Sequence, residues 1–325
     1  MHLHHQALPF ALAILAAPAQ LACVLCSEEF PDGCLEQFNT CETERGALLA
    51  QTLVELDLRQ AAVWTREMPV GNLIADAFYE LGRHHCGGAR PCPDAAFENA
   101  GAIRFETKCG HRELIPAGPL FEGDVNDMLP FASNRIGVVE ISGHDLKLAL
   151  EHAVDNLAQT RAGEQGGHFL QVSRLRFEVD CAQSRQDLDP SRTTIITPGA
   201  RIVEGSLMIR TDSGGEGVTP VWEPVVTERT STYRVVTNSF IGAGNDGYLA
   251  LTTRQDTAEG ETALTGDAAL CDSDFLCKMS YYIEDNGQTF SDAQALAYYL
   301  RKQEKVAPQT EGRMVIRSNC VPGLE

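Results

Sequence analysis

Apolar residues recur along this chain in short blocks whose period changes from one block to the next. Within 71–82, Leu73, Ala77 and Leu81 share one helical stripe, with Pro69 just ahead and Gly82 at the end. The spacing predicts a helix that Gly82 closes. Positions 136–141 form a strongly apolar, β-branched run, the pattern of a buried strand. Gly143 then opens a helix whose inner face is Leu146, Ala149, Leu150 and Ala153. Positions 170–179 alternate apolar and polar as a single strand, and 48–58 alternate well enough for a strand or a short helix. Further strands are expected at 201–209, 233–237 and 314–317, and helices at 275–283 and 292–302. The Gly-, Pro- and Cys-rich stretch 84–93 and the Gly-rich polar stretch 211–220 read as loops. Helices and strands mix without a regular βαβ rhythm, so the pattern predicts an α+β fold of mixed sheets packed with helices.

The first residues depart from this pattern. An apolar run over 7–17 leads into Ala17-Pro18-Ala19, a small-x-small cleavage site, so 1–19 reads as a signal peptide. Its n-region offers histidines where Lys or Arg is usual. The alternative, a buried N-terminal helix, has Pro9 and Pro18 against it. All 11 cysteines lie beyond Ala19, a usage suited to an oxidising compartment. Cys26, Cys34 and Cys41 stud a polar, acidic segment over 20–47, while Cys86 and Cys92, and Cys271 and Cys277, are close in sequence. The odd total leaves one over. Gln20-Leu21-Ala22-Cys23 loosely resembles a lipobox, and lipidation of Cys23 would leave an even number. The expectation is an exported protein, periplasmic or at the cell surface, with lipid anchoring at Cys23 as an option. No stretch beyond the leader is long and apolar enough to span a membrane.

The net charge of −19 argues against nucleic acid and anionic membrane surfaces as partners. A small anionic ligand would have to meet a local group of arginines or oriented backbone N–H donors.

Several short stretches carry more specific information. They are Arg66-Glu67 ahead of Gly71-Asn72-Leu73-Ile74-Ala75-Asp76-Ala77, then Asn99-Ala100-Gly101-Ala102-Ile103-Arg104, then Leu129-Pro130-Phe131. The helix opened by Gly143 and ending at Glu151 follows, then Gly167-His168-Phe169-Leu170-Gln171-Val172-Ser173. Phe240-Ile241-Gly242-Ala243-Gly244-Asn245-Asp246-Gly247-Tyr248 and Glu311-Gly312-Arg313 complete the series. In this order, over roughly 48–317, they resemble the C-terminal domain of the 5′-nucleotidase family. The resemblance implies a domain over 48–325 that recognises a nucleoside or nucleotide. It also implies roles for individual residues. Phe131 and Phe240 would sandwich the base, Asp246 would accept hydrogen bonds from ribose hydroxyls, and Asn99 and Arg104 would meet the sugar and phosphate side.

The residue types suit those roles. Aromatic faces stack on bases for roughly 1–3 kcal/mol each. A sheltered carboxylate accepts charge-assisted bonds worth about 1.5–3 kcal/mol, and arginine offers a planar donor fork to phosphate oxygens. Plainer readings stand beside them: Phe131 and Phe240 as core aromatics, Asp246 as a turn residue, and Arg104 paired with an acidic neighbour. The sequence also departs from the family pattern. Ala100 and Asn245 stand where glycines are usual, and Trp64 stands near the place of a phosphate-side arginine.

In the family, hydrolysis belongs to an N-terminal metallophosphatase domain that holds two cations. Its signals (D-x-H, G-D-x-x-D, N-H-E/D, G-H-x-H) do not occur here in usable form. Neither do G-x-S-x-G or a P-loop. Gly143-His144-Asp145 falls at a helix start, and His84-His85-Cys86 lies in a loop. No catalytic residue, metal ligand or cofactor is therefore assigned. The expected function is nucleotide recognition without hydrolysis by this chain alone. The alternatives are a hydrolase completed by a separate metallophosphatase chain, or a non-catalytic surface or periplasmic interaction protein with a degenerate pocket.

Overall fold

The computed structural model describes residues 45–320 apart from 89, 105, 108–109, 112, 158–165, 213–218, 254–275 and 278. The expected leader, Cys23, Cys26, Cys34, Cys41 and Cys271 lie outside the described residues. The principal elements in chain order are β1 (Leu48–Thr52), α1 (Pro69–His84), β2 (Ala95–Asn99), β3 (Gly118–Phe121), α2 (Glu122–Met128), β4 (Ile136–Ser142), α3 (Gly143–Ala153), β5 (Leu170–Ser173) and β6 (Leu175–Val179). They continue with β7 (Met208–Arg210), β8 (Trp222–Pro224), β9 (Thr232–Asn238), β10 (Met279–Tyr282), α4 (Asp292–Gln303), β11 (Lys305–Val306) and β12 (Met314–Ile316).

The central sheet has the order β10-β4-β9-β2-β5. β9 runs antiparallel to β4 and parallel to β2, and β2 runs antiparallel to β5. The inner strands are apolar on both faces, as a covered sheet requires: Val138, Val139, Val235, Val236, Ala95, Ala96 and Phe97 are all fully buried. α1 covers the sheet and packs in turn on α4. A second sheet, β8-β7-β6-β12, and a small one, β11-β1-β3, complete the mixed α+β architecture.

Local chemistry explains where the helices begin. Pro69 occupies the first turn of α1, where its missing N–H is not needed. Ser142 caps α3 by accepting a hydrogen bond from the Asp145 amide, and Ser291 with Gln294 forms a capping box on α4. Gly82 does not close α1, contrary to expectation. The helix continues to His84, and a Cβ at Gly82 would lie 2.6 Å from Val236 Cγ2. The glycine lets α1 approach β9 closely instead of ending the helix.

Other sequence expectations are corrected in the same way. The alternating stretch 170–179 is two strands, not one. Arg174 takes a left-handed conformation (φ 63°) and hands the chain from the central sheet to the second. Arg174 is held there over the Tyr79 ring, 4.7 Å from its centroid, and by donating to the Arg210 carbonyl. The 201–209 strand shrinks to an isolated bridge at Ile202 and β7. The 275–283 helix is replaced over its described part by strands, Leu276–Cys277 and β10. The helical spacing of Met279 and Ile283 is overridden by pairing with the buried edge of β4, where Tyr281 and Tyr282 fit a pleated surface. The 48–58 stretch, whose alternation suits a strand or a short helix, forms β1 and the short strand Leu56–Asp57. Two disulfides are present among the described residues. Cys86–Cys92 closes the loop after α1, and Cys181–Cys320 ties the turn after β6 to the end of the described chain.

Candidate functional site

The topology brings the family-like residues to one end of the central sheet. Asn238 ends β9 opposite Ile136, which begins β4, and Asn99 ends β2 opposite Leu170, which begins β5. Asn238 then caps the single helical turn Ser239–Gly242 by accepting from the Ile241 amide at 3.1 Å. Phe240 sits in that turn, and Phe131 sits in the turn that precedes β4. The two turns are joined directly: the Ser239 amide donates to the Arg135 carbonyl (2.7 Å), and the Arg135 amide donates to Ser239 Oγ (3.0 Å).

Both phenylalanine rings remain 38% exposed. Neither belongs to the core, although burying such a ring would contribute about 1.5–3 kcal/mol. The Arg104 guanidinium stands over the Phe131 ring, 5.2 Å from its centroid, within cation–π range.

Behind the rings lies a buried polar chain. Asn238 Nδ2 donates to Asn99 Oδ1 (2.9 Å) and to Glu98 Oε2 (2.8 Å). These bonds fix the Asn99 amide so that its Nδ2 faces Asp246 Oδ2 at 3.4 Å. Asp246 itself is in the left-handed region (φ 58°), which aspartate tolerates better than most residues. Its carbonyl accepts from His152 Nε2 (2.8 Å) and from Arg192 Nη2 (3.3 Å). A Cβ at Gly247 would lie 2.9 Å from His152 Nε2, so the glycine is what allows the loop to rest on that ring. Asn245 braces the loop, its Nδ2 donating to the Phe240 carbonyl at 2.9 Å. The Ala100 methyl is in the core, and the Ala100 carbonyl accepts from the Trp64 indole at 3.1 Å.

Two buried carboxyls lie further back. Burial, with the neighbouring Asp292 adding to it, pushes the Glu98 carboxyl well above the usual range, and burial pushes Asp292 up to about 7. Asn134 Nδ2 donates to Asp292 Oδ2 at 2.7 Å. Glu98 Oε1 and Asp292 Oδ1 have no partner.

No sequence motif marks a second group. His152 and Asp155, three residues apart at the end of α3, meet His168, which precedes β5. His168 Nε2 is 2.7 Å from Asp155 Oδ1, and His152 Nδ1 is 3.2 Å from Asp155 Oδ2. The imidazole rings stack with centroids 4.8 Å apart. Burial would raise the Asp155 carboxyl, but its contacts with His152 and His168 outweigh that and hold it well below the usual carboxylate range. The i, i+3 spacing of His152 and Asp155 was the available signal; nothing in the sequence joins His168 to them. A cavity of about 300 Å³ adjoins His168, bordered by Trp64, Asn156, Gly166 and Phe169 and by none of the five predicted binding residues. His144 is the second residue of α3 and contacts Arg229.

Comparison with known proteins agrees with this architecture. Residues 48–253 match the family described as 5′-nucleotidase, C-terminal domain, and the chain belongs to that family. It is 30% identical over 219 residues to the trifunctional nucleotide phosphoesterase protein YfkN of Bacillus subtilis (strain 168), covering 67% of this chain and 12% of that protein. It is 24% identical over 275 residues to a 5′-nucleotidase of Diplobatis ommata, covering 84% of this chain and 37% of the relative. The crystal structure of a 5′-nucleotidase precursor from Thermus thermophilus superposes with a TM-score of 0.58 at 26% identity, over 88% of this chain and 43% of that one. The chain thus spans well under two thirds of the length of these relatives.

Proposed function

We propose that this chain is an exported nucleoside- or nucleotide-recognition domain of 5′-nucleotidase type, which does not hydrolyse nucleotides by itself. The observation that carries this reading is the pair of half-exposed phenylalanines, Phe131 and Phe240, on turns hydrogen-bonded to each other at the sheet end where Asn99 meets Asp246. A base stacks between the rings, the ribose hydroxyls donate to Asp246, and Arg104 with Asn99 meets the sugar and phosphate side. Trp64 near the place of a second phosphate-side cation leaves the phosphate weakly held, so affinity falls in the range of about ten micromolar to millimolar. Hydrolysis, where it occurs, calls for a metallophosphatase unit, and a separate chain that carries one is the alternative reading. The two disulfides fit export through a leader over 1–19 into an oxidising compartment, with a cysteine-rich segment over 20–47 and the binding domain over 48–325. Lipidation at Cys23 is the variant of this reading that leaves an even number of cysteines.

Calorimetric titration with adenosine, AMP and UDP-glucose tests the reading. Saturable binding that disappears in Phe131→Ala and in Phe240→Ala, without phosphate release from AMP, is the expected result. No heat up to millimolar ligand would overturn it and leave an interaction protein with a degenerate pocket.

A further inference from the structure

The group formed by His152, Asp155 and His168 has a feature that packing alone does not explain. His152 is 2% exposed, and its Nε2 is 2.8 Å from the Asp246 carbonyl. A carbonyl can only accept, so Nε2 carries the ring hydrogen. In the neutral ring, Nδ1 is then a bare lone pair. That lone pair is buried and without a hydrogen-bond partner, yet it stands 3.2 Å from a carboxylate oxygen of Asp155. Two lone pairs facing each other in the interior repel, and a positive charge between them removes the repulsion. A proton on Nδ1 or a metal ion between the two atoms supplies such a charge.

We propose that His152 Nδ1, His168 Nε2 and the Asp155 carboxylate bind one divalent cation of the zinc class, which fastens the Asp246 loop to α3. The donor set of two imidazoles and one carboxylate suits a borderline ion such as Zn²⁺. All three ligand atoms lie within 4.8 Å of one another. Bonds of about 2.0–2.2 Å in a tetrahedron require ligand atoms roughly 3.3 Å apart, so the 2.7 and 3.2 Å separations open on binding, while the imidazole nitrogens, as far as 4.8 Å apart, close up and one ring turns out of the stack. The outer contact of His152 to the Asp246 carbonyl is of the kind that orients metal-binding histidines and fixes their tautomer. The cavity beside His168 gives an entry path and room for a water as the fourth ligand. When the ion binds, the proton on His168 Nε2 leaves for solvent or for Nδ1 of that ring.

The test uses the full chain with His2, His4 and His5 replaced by alanine, so that leader histidines do not contribute. After removal of metals with a chelator, the protein is titrated with Zn²⁺ alone by calorimetry and with Co²⁺ by visible absorption. One ion per chain, with a dissociation constant on the order of micromolar or tighter, is expected. Binding is lost in Asp155→Asn and His168→Ala and kept in His84→Ala. Because those variants can fail to fold, nitrogen NMR of the parent's imidazoles gives a second readout: Zn²⁺ shifts His152 Nδ1 and His168 Nε2 and leaves His144 unmoved. Absence of stoichiometric binding, binding that survives Asp155→Asn, or a His152 ring that stays doubly protonated in the presence of Zn²⁺ would each overturn the proposal.

Discussion

Two of the buried polar knots among the described residues are satisfied to different degrees. One ties the chain end to α1. Arg313 donates to both Asp76 oxygens (2.8 and 2.7 Å), to Glu311 Oε2 and to the Val172 carbonyl. Glu67 accepts from the amides of Glu311 and Arg313 and from Asn72 Nδ2. Burial would lower the Arg313 pKa, but the adjacent Asp76 and Glu311 carboxylates outweigh it and hold the guanidinium firmly charged. The other knot, Asp292, Glu98, Asn238, Asn99 and Asp246, has no arginine inside it. It holds two carboxyls with raised pKa values, each with an unpartnered oxygen, and it ends at a half-buried Asp246 beside two exposed rings. The first knot has its charges paired, and its unpartnered atom is the neutral Asn72 Oδ1. The second leaves two acceptors unpartnered at its buried end, on Glu98 and Asp292, and exposes apolar surface at the other, on Phe131 and Phe240.

The largest test of this contrast is Arg313→Ala. Removing one partner of a buried ion-pair network leaves the carboxylates uncompensated, so stability should fall by about 3–5 kcal/mol in urea unfolding, with Arg313→Lys recovering only part because the two-pronged contact to Asp76 is lost. A loss below about 1 kcal/mol would mean the knot is ornamental.

Asp246→Asn probes the opposite knot. Asparagine keeps the left-handed backbone accessible, so the unfolding midpoint should stay within about 0.5 kcal/mol of the parent. Adenosine affinity should drop about tenfold as a charge-assisted acceptor becomes a neutral one. A stability loss comparable to that of Arg313→Ala would merge the two knots into one structural class.

The smallest effect concerns pH. Glu98 and Asp292 are protonated more readily in the folded than in the unfolded chain. Raised folded pKa values contribute stability that is fully present below the unfolded value of about 4 and is lost as pH rises through the folded value, about 7 for Asp292. Glu98→Gln mimics the protonated form, so the fall in stability above pH 4 should flatten. The variant should match the parent at pH 4 and exceed it at pH 8. An unchanged slope in a pH series of urea melts would show that the carboxyls stay ionised and that the knot is better compensated than its bonds suggest.

Much of this was legible in residues alone. Strand β4, the faces of α1 and α3, and the α+β class follow from apolar spacing, because burial of one face leaves a period in the sequence. The short motifs mark Asn99, Arg104, Phe131, Phe240 and Asp246 individually, through resemblance. They do not say which motifs belong together. Glu67, Asn72, Asp76, Ser173, Glu311 and Arg313 fall into one knot, with Ser173 Oγ donating to Asp76 at 2.6 Å. Asn99 and Asp246 fall into another. This partition depends on strand order and register, which have no local signature.

Local pattern failed where one residue or one neighbour changed the path. A left-handed Arg174 split a cleanly alternating stretch between two sheets, and pairing with β4 drew 279–282 from a helical spacing into a strand. The amino-acid sequence by itself determined which segments must be buried and which motifs the chain carries, since hydrophobicity and backbone preference act within a few residues. Only the tertiary structure decided that Phe131 and Phe240 stay exposed on joined turns, and that His168 comes to Asp155. Both depend on contacts between residues far apart in the chain, set by sheet topology.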